Sequence, residues 1–588
     1  MDAIAVQLRT KFIQMGLRMI VLLQLTSYLW PQDTPLKDVQ PCYDFIIVGC
    51  GTAGSILANR LSASGQHQVL VIEAGGDPPM ESLYAGTFLY LKNSQYDWNF
   101  TTVNDGFTAQ AHRNNILTLT SGKMLGGSSS LGHLLYLRGD PTDYNRWADI
   151  VKDQSWNYEH LIKYFRKSEM LDFKDMYTRN NLFHGTDGPM GVTKIVNHVS
   201  QKYLHIFKQA GHEIIKDGNT NMTLGYFEPM FMSKDGIRQS VTYTYLTPIK
   251  NRPNLHFLKE AEVIDIKLNK DKAVGVTVIK NNDIIRMKAN REIILSAGAI
   301  KTPQLLMLSG IGLSDHLSDH GIEVKKHLPV GKFYQDHLEV TVVHKLNVNN
   351  QKSFPADPHE FPASVIVGNV AVDKGKRAPD YQSQNFIIPS DSDSLLTICS
   401  VENAFINDIC ESIYNKTKGY ETMLSKIIFL RPKAKGHVVL QSADYKDNPL
   451  IISGFYSHDI DVDTMSNYII HFLQLSKTPV FKQFGGDIVF PTLPECDNYP
   501  GITYWKCYAL NMMGSSYDYT GTCSMGSVVD RRLRVMGVGG LRVVDASVIP
   551  VIPSGSIQAA VMAIAEKGAD MILKEVKNKS PSRCNPNT

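Results

Sequence analysis

The strongest constraint in the chain lies between residues 44 and 73. Asp44-Phe-Ile-Ile-Val48 is an apolar run of strand type, Gly49-Cys-Gly-Thr-Ala-Gly54 follows at once, and Ser55–Ser62 has the apolar spacing that opens a helix. Val69-Leu-Val-Ile72 reads as a second buried strand, closed by Glu73. A GxGxxG alone is a weak signal. Set between a strand and a helix, with an acid ending the next strand, it is the fingerprint of a dinucleotide fold. Gly49 permits the tight turn, Gly51 lets the backbone approach a pyrophosphate, and Gly54 lets helix and strand pack closely. Thr52 and Ala53 open a helix whose free N–H groups favour phosphate, and Glu73 is placed for a ribose hydroxyl. An adenine dinucleotide is expected here.

Charge excludes other partners. Sixty Lys and Arg against 57 Asp and Glu give +3 over 588 residues, so neither a basic nucleic-acid binder nor an acidic tail fits. Arg9, Lys11 and Arg18 precede an apolar stretch running from Met19 to Trp30, which reads as a secretory leader over residues 1–30. Gln24, Thr26 and Ser27 interrupt it, and it falls short of the ~20 apolar residues a membrane span needs. No later segment reads as a span.

Eight cysteines suit export but are too few for a disulfide scaffold. Cys399 and Cys410, and likewise Cys496 and Cys507, are spaced to close local loops. Cys42 and Cys584 bracket the folded region, while Cys50 and Cys523 sit in glycine-rich motifs as expected buried thiols. No CxxC, HExxH or Cys/His cluster has metal spacing, so no metal is expected. Sequons at Asn99, Asn221, Asn415 and Asn578 fit a secreted glycoprotein.

A second glycine-serine segment, Gly122-Lys-Met-Leu-Gly-Gly-Ser-Ser-Ser130, ends in Tyr136-Leu-Arg-Gly139. Further on stands Gly298-Ala-Ile-Lys-Thr-Pro-Gln-Leu-Leu-Met-Leu-Ser-Gly-Ile-Gly312. With these the sequence resembles the glucose–methanol–choline (GMC) family of FAD-dependent oxidoreductases, in which both segments are signatures. Smaller patches extend the resemblance from about residue 41 onward, among them Tyr96-Asp-Trp98, His184-Gly-Thr-Asp-Gly-Pro189, Gln335-Asp-His337, Gly521-Thr-Cys-Ser-Met-Gly526 and Leu541-Arg-Val-Val-Asp-Ala-Ser547. It is similar to the secreted animal branch that holds glucose dehydrogenases and ecdysone oxidases.

The resemblance implies an α/β fold with a discontinuous Rossmann-like FAD-binding domain, 42–339 and 506–576. Between them, 340–505 would form a second domain of mixed sheet plus helices that binds substrate. It also implies FAD, with Gly49, Gly51 and Gly54 on the pyrophosphate, Glu73 on the adenosine ribose, and Gly126, Gly127 and Ser128 along the flavin. Val263 would offer backbone groups to adenine, and Asp545 and Ala546 would meet the phosphates and ribityl chain. Family members that bind FAD covalently use a His where this chain has Leu131, so non-covalent FAD is expected.

The catalytic positions depart from the family. A His belongs before the Gly-Thr-Cys segment, yet Tyr517-Asp-Tyr-Thr-Gly-Thr-Cys523 puts Asp518 there. The second position, His or Asn in relatives, is Ser556, and the Asn of the first signature is Gly132. An ionised Asp only accepts hydrogen bonds and is a weak base near its ordinary pKa of about 4. His133, beside Gly132, and His337 read as structural histidines. The expected function is oxidation of a small-molecule CH–OH donor with Asp518 as an atypical base and Ser556 as its partner. Two alternatives stay open: a catalytically silent FAD-binding relative with a ligand-binding or interaction role, and a non-redox lyase. Substrate, electron acceptor and oligomeric state are not legible.

Overall fold

The computed structural model describes residues 28–173, 182–195, 198–347, 361, 363–390, 392 and 394–577. The expected leader up to residue 27, Asn578 and Cys584 lie outside the described residues. Trp30, the last residue of the expected leader, is 1 % exposed in the first hydrophobic core, so the packed part of the chain already includes it. An indole buried to that degree supplies a large apolar contact.

The GxGxxG segment folds as its pattern requires. Strand β1 (Cys42–Val48) is buried on both faces from Phe45 onward, hence the apolar run Phe45–Val48, and helix α1 (Thr52–Ser62) leads to the parallel strand β2 (Val69–Ile72). A short strand, β3 (Gly225–Phe227), leaves for the second sheet. Strand β4 (Leu255–Leu258) pairs parallel with β2. An antiparallel meander follows: β5 (Ala261–Asn269), β6 (Lys272–Lys280) and β7 (Asp283–Leu295). The end of β7 runs parallel beside β1 and feeds helix α2 (Gly298–Leu308).

Then come β8 (Leu338–Leu346), β9 (Ser364–Val370), β10 (Tyr381–Ile388), β11 (Glu421–Phe429), helix α3 (Asp459–Leu473) and β12 (Asp487–Val489). Helix α4 (Ile502–Asn511), β13 (Met513–Ser515), β14 (Leu541–Val543) and helix α5 (Gln558–Lys577) complete the set used below.

The first sheet has the order β4-β2-β1-β7-β6-β5, with β14 returning to pair parallel with β7. The second has the order β12-β8-β11-β10-β9-β3, with β13 also on β8. The expected two-part α/β architecture is what the chain adopts. Within its second part the pairing is antiparallel throughout rather than mixed, and the mixture of parallel and antiparallel pairing sits in the first sheet. The second sheet also takes β3 from upstream of the 340–505 span, paired on β9, and β13 from downstream, paired on β8 beside β12. Each sheet has its own hydrophobic core.

Helix α5 packs on α1 through a run of buried alanines, which lets the two helices approach closely. One buried carboxylate locks them: Glu566 takes Arg60 Nη2 at 2.6 Å and Lys167 Nζ at 2.9 Å, and accepts from Tyr245 at 3.1 Å. Cys399–Cys410 and Cys496–Cys507 are disulfides, and Cys42 is disulfide-bonded. Cys50 and Cys523 are buried free thiols, both pushed up by burial. Among the described residues no helix is long and apolar enough to cross a membrane, and no group of three His, Cys, Asp or Glu is placed to hold a metal ion.

Candidate active site

One cavity of about 290 Å³ collects most of the expected site residues: Gly49, Gly51, Thr52, Ala53, Glu73, Gly127, Ser128, Val263, Asp518, Asp545, Ala546 and Ser556 all line it. Gly54 and Gly126 do not, and their work is behind the wall. A Cβ on Gly54 would stand 1.9 Å from the Gly49 carbonyl oxygen, so this glycine sets how closely α1 crosses the preceding loop rather than touching a ligand. Gly126 donates its N–H to the Cys50 carbonyl at 2.7 Å, which ties the second glycine segment to the first. Gly51 and Gly127 then meet as bare backbone, and a Cβ on Gly127 would stand 2.9 Å from Gly51 Cα.

Two carboxylates shape this end. Glu73 accepts from Cys50 N at 2.7 Å and Gly75 N at 2.9 Å, which pins the glycine loop, and burial pushes it up to about 7. Asp545 accepts from Gly298 N at 2.9 Å, Thr302 at 2.6 Å, Ser547 N at 2.9 Å and the Ser547 hydroxyl at 2.5 Å. Its carboxylate is spent on the start of α2, so what this stretch offers a ligand is the backbone at 545–546. The residues present fit FAD by three independent features. Three helical N-termini, at Thr52, Gly127 and Gln558, reach the cavity. Where Gly51 and Gly127 meet, the cavity wall is bare backbone, which lets a phosphate approach the main chain closely. Gln558 Nε2 and Arg238 Nη2 are buried donors on lining residues with no hydrogen-bond partner among the described residues, and a cofactor rich in acceptors supplies partners for both.

At the other end the substituted positions come together. Asp518 lines the cavity, but both its oxygens are engaged: Oδ1 accepts from Ile557 N at 3.1 Å and Oδ2 lies 2.9 Å from His337 Nδ1. Its own N–H donates to Asp336 Oδ1 at 2.9 Å. The loop of Ser556 is fixed by Asp143, which accepts from Ser554 N at 2.7 Å, and by Arg431, which donates to the Ser554 hydroxyl at 3.0 Å.

Asp336 is pushed up to about 7, chiefly by burial and further by Asp518. Because the folded protein holds this proton more tightly than the unfolded chain, the stabilisation is full at low pH and is lost as pH rises towards 7. Between about pH 4 and 7, wild type is therefore expected to lose on the order of 3 kcal/mol relative to Asp336→Asn. Denaturation midpoints of both proteins across that range check it; parallel curves would refute it.

The second sheet closes the cavity with a charged wall. Glu339 on β8, Gln384 on β10 and Lys426 on β11 line it, joined by Lys92, Glu402 and Tyr517. Lys426 Nζ is 2.7 Å from Glu339 and 3.7 Å from Glu402, and Lys92 Nζ is 3.2 Å from Glu402. Lys92 also donates to the Tyr517 hydroxyl, which donates onward to the Glu402 carbonyl at 2.9 Å. Burial alone would push Glu402 up, yet Lys92, His133 and Lys426 together hold it well below the usual carboxylate range.

Residues 43–339 and 432–565 match the two parts of the family described as GMC oxidoreductase. The chain belongs to that family. It is 36 % identical over 571 residues to the ecdysone oxidase of Bombyx mori, covering 93 % of this chain and 84 % of that protein. It is 30 % identical to the glucose dehydrogenase (FAD, quinone) of Drosophila melanogaster, covering 90 % of this chain and 86 % of that one. A solved formate oxidase of Aspergillus oryzae, described for modification of its FAD, superposes with a TM-score of 0.78 at 26 % identity, over 91 % of this chain and 99 % of that one. The animal branch expected from the motifs is thus among this oxidoreductase's relatives.

The charged wall is the part that motifs did not reveal. Glu339 and Lys426 are lone charges inside mostly apolar strand runs, Leu338-Glu-Val-Thr-Val-Val343 and Leu424-Ser-Lys-Ile-Ile-Phe429. A charge in such a run is costly to bury unless paired, and that was the available signal. Lys92 and Glu402 carried none.

Proposed function

We propose that this GMC oxidoreductase oxidises a CH–OH donor with FAD bound non-covalently. One observation carries the reading: a single cavity runs from the glycine backbone at Gly51 and Gly127 to a polar wall at Asp518 and Ser556, where a donor hydroxyl would lie. When bound, FAD supplies the two-electron acceptor for a hydride. The chain's own part is positional. Gly51, Gly127 and the start of α1 receive the pyrophosphate, Glu73 holds their loop and reaches the ribose, and the backbone at Val263 and Ala546 lines the two flanks. Asp518 orients the Ile557 N–H, and the Ser556 hydroxyl is available to donate to or accept from a substrate oxygen. Leu131, 5 % exposed in the cavity wall, leaves no nucleophile where relatives attach FAD, which supports non-covalent binding.

Ecdysone and glucose, taken from the names of relatives, are the first donors to try, with choline and benzyl alcohol beside them. The disulfides, Cys399–Cys410 and Cys496–Cys507 among them, and the exposed sequons at Asn99, Asn221 and Asn415 support a secreted glycoprotein.

The expected result is bleaching of the oxidised-flavin absorbance when the FAD-loaded protein is mixed anaerobically with a reactive alcohol. A silent FAD-binding relative is favoured by one observation, the full engagement of Asp518. That reading predicts a flavin that stays oxidised with every alcohol and bleaches only with dithionite. A colourless protein that takes up no FAD would sink both.

A further inference from the structure

Of the eight residues in β10, only Gln384 is not fully buried, and it is the one that lines the cavity. Strands β9 and β11 flank β10, so what exposes Gln384 is the cavity itself. It stands opposite Val367 on β9 and Lys426 on β11. Its amide is not free to turn. Gln384 Nε2 donates to Gln382 Oε1 at 2.9 Å, and Gln382 Nε2 donates to Asn369 Oδ1 at 2.9 Å. Asn369 Nδ2 then donates to the Thr223 carbonyl at 3.0 Å.

The far end of this ladder sets its direction. A backbone carbonyl only accepts, so Asn369 presents its nitrogen there and its oxygen to Gln382, which in turn presents its oxygen to Gln384. Gln382 and Asn369 are buried, and a reversed amide at either would set two donors or two acceptors face to face. Thr223 is anchored as well, its hydroxyl donating to Asp140 at 2.6 Å. Nε2 of Gln384 is therefore committed to the ladder, and Oε1 is left to accept a hydrogen bond from the cavity.

The wall beside it favours a neutral partner. Lys426 Nζ is 2.7 Å from Glu339 and 3.7 Å from Glu402, and Lys92 Nζ is 3.2 Å from Glu402, so two ammonium groups stand against two carboxylates. A cationic group bound to Gln384 would meet Lys426 on the neighbouring strand, whereas a hydroxyl can donate to Oε1 and accept from an ammonium. Glu339 also accepts from the Ser516 hydroxyl at 2.8 Å, which ties this row to the segment of Asp518. We infer that Gln384 is a specificity-determining residue whose Oε1 accepts from a second hydroxyl of the donor, so that the alcohol oxidised is a polyhydroxylated compound. The inference rests on the oxidoreductase reading above and names its substrate class.

The test measures anaerobic flavin reduction in FAD-loaded wild type and Gln384→Met, with ecdysone and glucose as polyols and benzyl alcohol and choline as alcohols with one hydroxyl. Wild type is expected to favour a polyol. With that polyol, Gln384→Met is expected to lose about 5- to 100-fold in kcat/KM, mostly through KM, at unchanged flavin content and unchanged rate with benzyl alcohol. Single-deoxy analogues of the polyol form a second arm. One of them is expected to lose a similar factor in wild type and nothing further in Gln384→Met, because the contact it lacks is already gone. Equal losses with every alcohol would make Gln384 structural and overturn the inference. So would a polyol kcat/KM in the variant within about threefold of wild type, no deoxy analogue slowed in wild type, or a wild type reduced only by alcohols with one hydroxyl. Each of these leaves the oxidoreductase reading intact. Wild type that no alcohol in the panel reduces overturns both.

Discussion

Valine in place of Gly127 is expected to give a folded protein that purifies without flavin. Gly127 sits at φ +52°, and a Cβ there would stand 2.9 Å from Gly51 Cα. Both atoms belong to backbone, so neither side yields as a flexible side chain would. A β-branched residue adds the cost of a left-handed backbone conformation that it rarely adopts. Strain of about 1–3 kcal/mol at a site that must close on a ligand corresponds to roughly 5- to 150-fold weaker retention. Displacement of these two glycines does not reach the second sheet, whose core is separate, so the circular dichroism spectrum is expected to stay native while the flavin absorbance disappears. Full flavin content in the variant would show that the close contact of the two glycine segments is not needed to hold the cofactor.

Arg138→Met is expected to cost about 3–5 kcal/mol of stability, read as a fall in the denaturant midpoint. Arg138 is 1 % exposed and its Nη2 meets Glu169 at 2.6 Å. Glu169 in turn lies 2.8 Å from His184, which reaches Asp217 at 2.8 Å on its other nitrogen. Met matches much of the arginine stem but leaves Glu169 buried with its strongest partner gone, and an unpaired buried charge is the expensive state. The effect should extend to the site. Arg138 precedes Gly139, where even a Cβ would approach Ser554 N to 3.1 Å, and Ser554 belongs to the loop of Ser556. Loosening Arg138 therefore loosens a wall of the substrate cavity. A midpoint within experimental error of wild type would mean that the His184 and Asp217 contacts alone stabilise Glu169.

Arg138 shows how far signatures reach. Its motif, Tyr136-Leu-Arg-Gly139, was legible as part of a glycine-serine segment near a cofactor, but the role of its guanidinium depends on Glu169, His184 and Asp217, which come from other segments. Gly54 and Gly126 make the same point in reverse. Both sit within recognisable motifs, yet their function is to let backbones meet, and they do not line the cavity.

The local code determined the dinucleotide unit, the two disulfide loops, the buried thiols and the family. In each case the controlling interactions lie close in sequence or are dictated by backbone geometry: a turn that only glycine makes, a helix start beside a strand end, two cysteines eleven residues apart. Tertiary structure decided the catalytic end. His337 read as a structural histidine, and only the pairing of distant segments sets it against Asp518. Lys92, His133, Glu402 and Lys426 come from four separate segments, and it is the fold that brings their charges within a few ångströms of one another. Charge pairing at that range has no sequence period to announce it, because its strength depends on distance and burial rather than on spacing along the chain.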